Sequence, residues 1–108
     1  MNDNAQIDLS KEQLLALYRN MLVIRWCEEQ LARIHAGGLV HGACHTYVGE
    51  EAGAGGGCAH LRPEDAVFST HRGHGHALAK GVHPRALIAE LLGRATGISQ
   101  GRGGSMHL

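Results

Sequence analysis

The sequence predicts a mostly helical α/β chain, and three observations predict it. Apolar residues recur at helical spacing between Leu14 and Ile34. The run Ala66-Val67-Phe68-Ser69 has the character of a short buried strand, and a glycine-punctuated loop follows it. Pro84 then opens another helical pattern.

Residues 1–8 read as a disordered polar lead-in, and 9–108 as the amino-terminal part of one domain. Ser10 is a strong helix cap. Gln13 completes a capping box with it, and Leu9 and Leu14 occupy the positions of a hydrophobic staple. Leu14, Leu17, Met21, Ile24 and Leu31 form the apolar stripe, widened by Tyr18, Leu22 and Ile34. Tyr18, Met21 and Trp26 are assigned to core packing. Gly37-Gly38 ends the helix.

Residues 39–48 read as extended. A second helix is expected from Gly49 to about Leu61, although Gly53, Gly55, Gly56 and Gly57 lie within it. Each costs a helix interior roughly 1 kcal/mol relative to alanine. Arg62-Pro63-Glu64-Asp65 is a turn, Ala66–Ser69 the strand, and Thr70–Gly75 the loop from strand to helix. Leu87, Ile88, Leu91 and Leu92 give the helix after Pro84 its apolar face, and Gly93 stops it. Five of the twelve residues from Gly93 to Gly104 are glycine. The chain stops at Leu108 just after that loop, and this end reads as a truncation.

Composition narrows the function. With 108 residues and 44% apolar content the chain can bury a modest core. Its formal net charge is zero, so no basic surplus drives binding to nucleic acid or an anionic membrane. The apolar run Met21–Ile24 is far too short to span a bilayer, and no secretory signal opens the chain. Cys27, Cys44 and Cys58 form no C-x-x-C pair. An odd count without that spacing fits a reducing, cytoplasmic setting. Nine histidines are the compositional oddity.

Three stretches could carry chemistry. In Ser69-Thr70-His71-Arg72-Gly73-His74-Gly75-His76, Arg72 supplies a permanent charge suited to phosphate. Gly73 and Gly75 there permit close backbone approach. A solvated histidine-rich surface loop is the plain alternative. A histidine-rich metal-binding module is another, since three imidazoles can hold zinc. The H-E-x-x-H pattern is absent, however, and no metal ligand is assigned. The stretch Gly97–His107 is either an anion-binding nest or a flexible linker. It is neither a Walker loop nor G-x-G-x-x-G. In Cys44–Glu51, Glu50 and Glu51 suit a helix amino terminus, and spacing leaves the role of His45 open.

Taken in order, Tyr18-Arg19, Met21, Ile24-Arg25 and Glu28 are followed by Cys44-His45, Tyr47 and Gly49-Glu50-Glu51-Ala52. Then come Ser69–Gly75, Gly93–Gly97 and Gly101–His107. This set resembles the first-component alpha subunits of the pyruvate, acetoin and branched-chain 2-oxo acid dehydrogenase complexes, over residues 12–108 and about the first third of such a subunit. The resemblance implies a parallel-sheet fold that binds thiamin diphosphate, of which this chain is the mostly helical beginning. It implies a heterotetramer with beta subunits and a lipoyl-bearing acyltransferase as the next component. In that chemistry the cofactor's thiazolium ylide attacks a 2-oxo acid carbonyl, carbon dioxide leaves, and the acyl group passes to the lipoyl arm.

Residue by residue, the resemblance implies that His71 and Arg72 bind the cofactor diphosphate, with His71 where pyruvate-type members carry tyrosine. It puts His45 and Met106 at the substrate and gives His107 proton transfer or the substrate carboxylate. It supplies no role for His74 or His76. The family's Mg2+ ligands, a Gly-Asp-Gly motif and a later Asn, would lie outside this chain. Members usually carry branched apolar residues at Gly53, Gly55 and Gly57, so the second helix should be weak. A non-catalytic fragment that only docks on a beta subunit is the remaining alternative.

Overall fold

Ser10 turns the chain helical as its neighbours require. Its side chain accepts the Gln13 N–H at 3.2 Å, and the Gln13 side chain accepts the Ser10 N–H at 2.9 Å. Two of the amide donors that a helix start leaves without partners are thereby satisfied. The expected staple positions, Leu9 and Leu14, stay exposed. The computed structural model describes residues 8–108, so nearly all of the expected lead-in lies outside the described residues. Among the described residues there are four helices: α1 (Lys11–Ala36), α2 (Glu51–Cys58), α3 (His74–Ala79) and α4 (Pro84–Leu91).

The helices meet around one core. Ile24, Cys27 and Leu31 of α1 pack with Ala54 of α2, Leu78 of α3, and Leu87 and Leu91 of α4, closed by Val40 and Tyr47. Burying a leucine or isoleucine of this kind contributes about 1.5–3 kcal/mol. Helix α4 follows its sequence signals. Pro84 stands at its start, His83 accepts the Arg85 N–H at 3.1 Å, and Gly93 leaves it with φ of +68°.

Four expectations are corrected. Tyr18 and Trp26 are not core residues; they stand 60% and 63% exposed, and Met21 is half-buried. The apolar stripe of α1 is wider than three short helices can cover, so only its edge through Ile24, Cys27 and Leu31 is sealed. No strand forms at Ala66–Ser69, or anywhere among the described residues, and Phe68 is 96% exposed. A strand exists only with a ladder partner for its backbone groups, and none lies beside this segment. The second helix is shorter than expected, Glu51–Cys58. The loop after Thr70 ends at Gly73, because His74–Ala79 is itself helical.

Helix α3 is held by packing. A Cβ on Gly75 would lie 2.3 Å from the Tyr47 ring, a separation no real side chain tolerates. The backbone approach expected of this glycine is made, and it is made to Tyr47.

Candidate functional site

The site is assembled where three distant stretches converge beside α1 and α3. The first is residues 44–47, which run past the carboxylate of Glu28 on α1. Glu28 accepts the Tyr47 N–H at 3.1 Å. The second is the loop before α3. Arg72 donates from Nη1 to the Thr46 carbonyl at 3.3 Å, and its backbone N–H donates to the Thr70 hydroxyl at 3.3 Å. The His71 ring meets that of His45 edge-on at 4.6 Å between centroids. His45, His71 and Arg72, singled out separately in the sequence, are therefore neighbours.

The third stretch is the end of the glycine-rich loop. Met106 lines a cleft of about 350 Å³ together with Val67, Thr70, Gly73, His76 and Lys80. His107 follows it and is exposed. The turn carrying both is tight, since a Cβ on Gly103 would lie 2.1 Å from the His107 carbonyl oxygen.

Sequence reasoning missed the group that joins these stretches. His74 is fully buried, with Nδ1 at 2.8 and 3.0 Å from the two Glu28 oxygens and Nε2 at 3.0 and 2.9 Å from the Ser105 carbonyl and hydroxyl. A signal for half of it was present. Glu28 falls between Ile24 and Leu31 on the apolar stripe, and a buried carboxylate needs a partner. His76 shares its Nδ1 with the Ser69 hydroxyl at 3.3 Å. His71, His74 and His76 thus face different neighbours. Among the described residues no three His, Cys, Asp or Glu side chains gather as a metal site would require.

The electrostatics around this frame set a braced, buried carboxylate near an exposed arginine. Arg25 holds the Glu51 carboxylate in an ion pair, and the Gly49 N–H reaches both carboxylate oxygens at 3.0 and 3.1 Å. The Arg25 hydrogen bond above all, aided by backbone N–H groups, lowers Glu51 to about 2. Burial pushes the Cys27 thiol up to about 12 and raises that of Cys44, the latter offset in part by the Ser105 hydroxyl. All three cysteines are free. Among the described residues Arg72, like every arginine but Arg25 and Arg62, has no carboxylate partner, and it is set apart by its place beside His71 and His45. An exposed guanidinium with most of its donors open can take an anion. No helix of the described residues is long and apolar enough to cross a membrane.

An arginine, an edge of two imidazoles and a tight glycine loop thus lie around one buried histidine, His74. The chain belongs to the dehydrogenase E1 component family, whose model matches residues 18–108. It is 47% identical over 102 residues to the alpha subunit of an acetoin:2,6-dichlorophenolindophenol oxidoreductase from Bacillus subtilis (strain 168), covering 94% of this chain and 31% of that one. It is 50% identical over 99 residues to the pyruvate dehydrogenase E1 component subunit alpha of Zymomonas mobilis, covering 91% and 28%. A Cupriavidus necator acetoin:2,6-dichlorophenolindophenol oxidoreductase alpha subunit is 47% identical over 106 residues, covering 98% and 32%. The chain therefore spans about a third of the length of these relatives.

Proposed function

We propose that this chain serves as part of the alpha subunit of a thiamin-diphosphate-dependent 2-oxo acid dehydrogenase. The reaction is oxidative decarboxylation of pyruvate, or cleavage of acetoin, with acyl transfer to a lipoyl group. Family membership and the names of the relatives support the class. The observation that carries the site is Arg72, a cation without a carboxylate partner among the described residues, set beside His71 and His45. This donor set fits a diphosphate: the planar fork of Arg72 takes phosphate oxygens and the His71 ring adds a further N–H.

When bound, thiamin diphosphate supplies the electron sink for carbon–carbon cleavage. The protein's own residues then bind and orient. Arg72 and His71 fix the diphosphate end. His45 and Met106 contact the substrate, and His107 moves a proton or holds the substrate carboxylate. Mg2+ would be held by residues outside this chain. In the complete subunit we assign 9–108 to the mostly helical beginning of a thiamin-diphosphate-binding domain of parallel-sheet type. The partners are a beta subunit, in a heterotetramer, and a lipoyl-bearing acyltransferase.

The test is made in the complete subunit assembled with its beta partner, in steady-state kinetics with varied cofactor. Arg72→Ala should weaken thiamin diphosphate affinity about ten- to a hundredfold, the loss of one charge-assisted hydrogen-bond pair. Turnover at saturating cofactor should change far less. Arg72→Lys should recover only part, because the charge remains and the fork is lost. His107→Ala should show the reverse pattern, impairing turnover more than affinity. Unchanged cofactor affinity in a folded Arg72→Ala subunit would overturn the assignment.

A further inference from the structure

We infer that His74 is a positioning residue: clamped by Glu28, it fixes Ser105 and so sets the turn from Gly103 to His107 on which Met106 and His107 stand. Both His74 and Glu28 have no exposed surface. His74 therefore cannot touch a substrate from this position, and whatever it does it does through Ser105.

The donor and acceptor chemistry supports a rigid clamp. The Glu28 carboxylate accepts, so His74 Nδ1 donates to it, at 2.8 Å to Oε1. That fixes the ring plane and leaves Nε2 aimed at Ser105. There Nε2 either accepts the Ser105 hydroxyl proton at 2.9 Å or donates to the Ser105 carbonyl at 3.0 Å. In either case the ring nitrogen holds one polar atom of Ser105 by a hydrogen bond and has the other within 3.0 Å. Glu28 is itself held by the Tyr47 N–H. A buried carboxylate left without its partners is costly, so the ring has little freedom to turn.

Geometry carries this order to the exposed residues. Ser105 is buried, whereas Met106 and His107, the next two residues, are exposed. The close approach of Gly103 to the His107 carbonyl makes the turn a tight unit that moves with Ser105. The other end of the loop is tied as well, by the Ser99 N–H to buried Glu90. The loop is thus pinned at two buried points, and the one nearest Met106 and His107 is His74.

Native-state hydrogen exchange on the 108-residue chain tests the positioning directly, with amides of α4 as the internal reference. His74→Asn keeps a donor near Nδ1 but cannot reach Ser105. It should speed exchange of the 103–108 amides about tenfold, the usual worth of a lost buried hydrogen bond, while α4 amides change by less than about threefold. Glu28→Gln, which touches no residue of the loop, should loosen the same amides. Uniform acceleration across all helices, or an unchanged loop, would overturn the inference. Should His74→Asn fail to fold, Ser105→Ala decides: loop exchange should rise about threefold with α1 and α4 unaffected, and no rise sinks the idea.

The consequence for turnover rests on the function proposed above and is read separately. In the assembled enzyme His74→Asn should lower kcat about tenfold while thiamin diphosphate affinity stays within about twofold. A loosened loop with unaltered kcat would leave the positioning intact and overturn the roles given to Met106 and His107.

Discussion

Glu28, Glu51 and Glu90 sit within the apolar faces of α1, α2 and α4, and each is buried against a hydrogen-bond donor. For Glu51 the donor consequence can be read against pH. Its folded pKa falls from an ordinary 4.5 to about 2, with the Arg25 hydrogen bond as the largest cause. A depressed carboxylate contributes stability that is fully present above its unfolded pKa and is lost as pH falls through the folded one. Glu51→Gln should therefore lower the melting temperature at neutral pH, and the gap to the parent chain should close between about pH 4.5 and 2. Calorimetry across that range checks it; a gap that stays constant would mean the ion pair contributes nothing. Much of the site was legible at this scale and one part was not. Arg72 and the histidines declare themselves by type. Glu28 declares only that it needs a partner, and that partner lies 46 residues further on, beyond the reach of any periodicity.

Among the elements, α2 tests how far local propensity rules. Gly53, Gly55 and Gly57 all lie inside the helix and none has positive φ. An added Cβ would sit 3.7 Å from Tyr47 Oη at Gly53 and 3.6 Å from Met21 Cγ at Gly55, ordinary contacts, and would meet nothing within 4 Å at Gly57. The triple alanine variant should thus gain helicity by circular dichroism and about 1–3 kcal/mol of stability in denaturant unfolding. A loss would show that these positions must stay without side chains for a reason outside this chain's own packing. The same contrast explains which elements the sequence revealed. The capping box at Ser10, Pro84 at the start of α4 and Gly93 at its end act through neighbours a few residues away, and each is where expected. Helix α3 is six residues of histidine, glycine, alanine and leucine, too short to stand alone, and exists because Gly75 seats against Tyr47. Ala66–Ser69 has strand chemistry but no ladder, and chemistry without a partner does not make a strand.

As a whole the molecule is longer than its mass requires, with extents of 51 × 29 × 25 Å and a radius of gyration of 15.2 Å, against about 13 Å for a compact domain of this size. The excess is α1, whose 26 residues carry Leu14, Leu15, Tyr18 and Trp26 on open surface. Such surface is characteristic of a piece that packs within something larger. Alongside the chain's span of about a third of its relatives' length, it predicts that the 108-residue chain alone neither turns over pyruvate nor binds thiamin diphosphate with micromolar affinity. Calorimetric titration in magnesium checks this, and tight stoichiometric binding would refute it. The clamp at His74 also bears on the order in which the chain acquires its shape. It ties residue 74 to residue 28 behind it and to residue 105 ahead of it, spans of 46 and 31 residues. Helix α1 can begin to form from local contacts early, but the clamp closes in two steps, Glu28 on His74 first and His74 on Ser105 afterwards. Until His74 arrives Glu28 lacks that partner, so the turn that holds Met106 and His107 sets after the pair on which it rests and never before it.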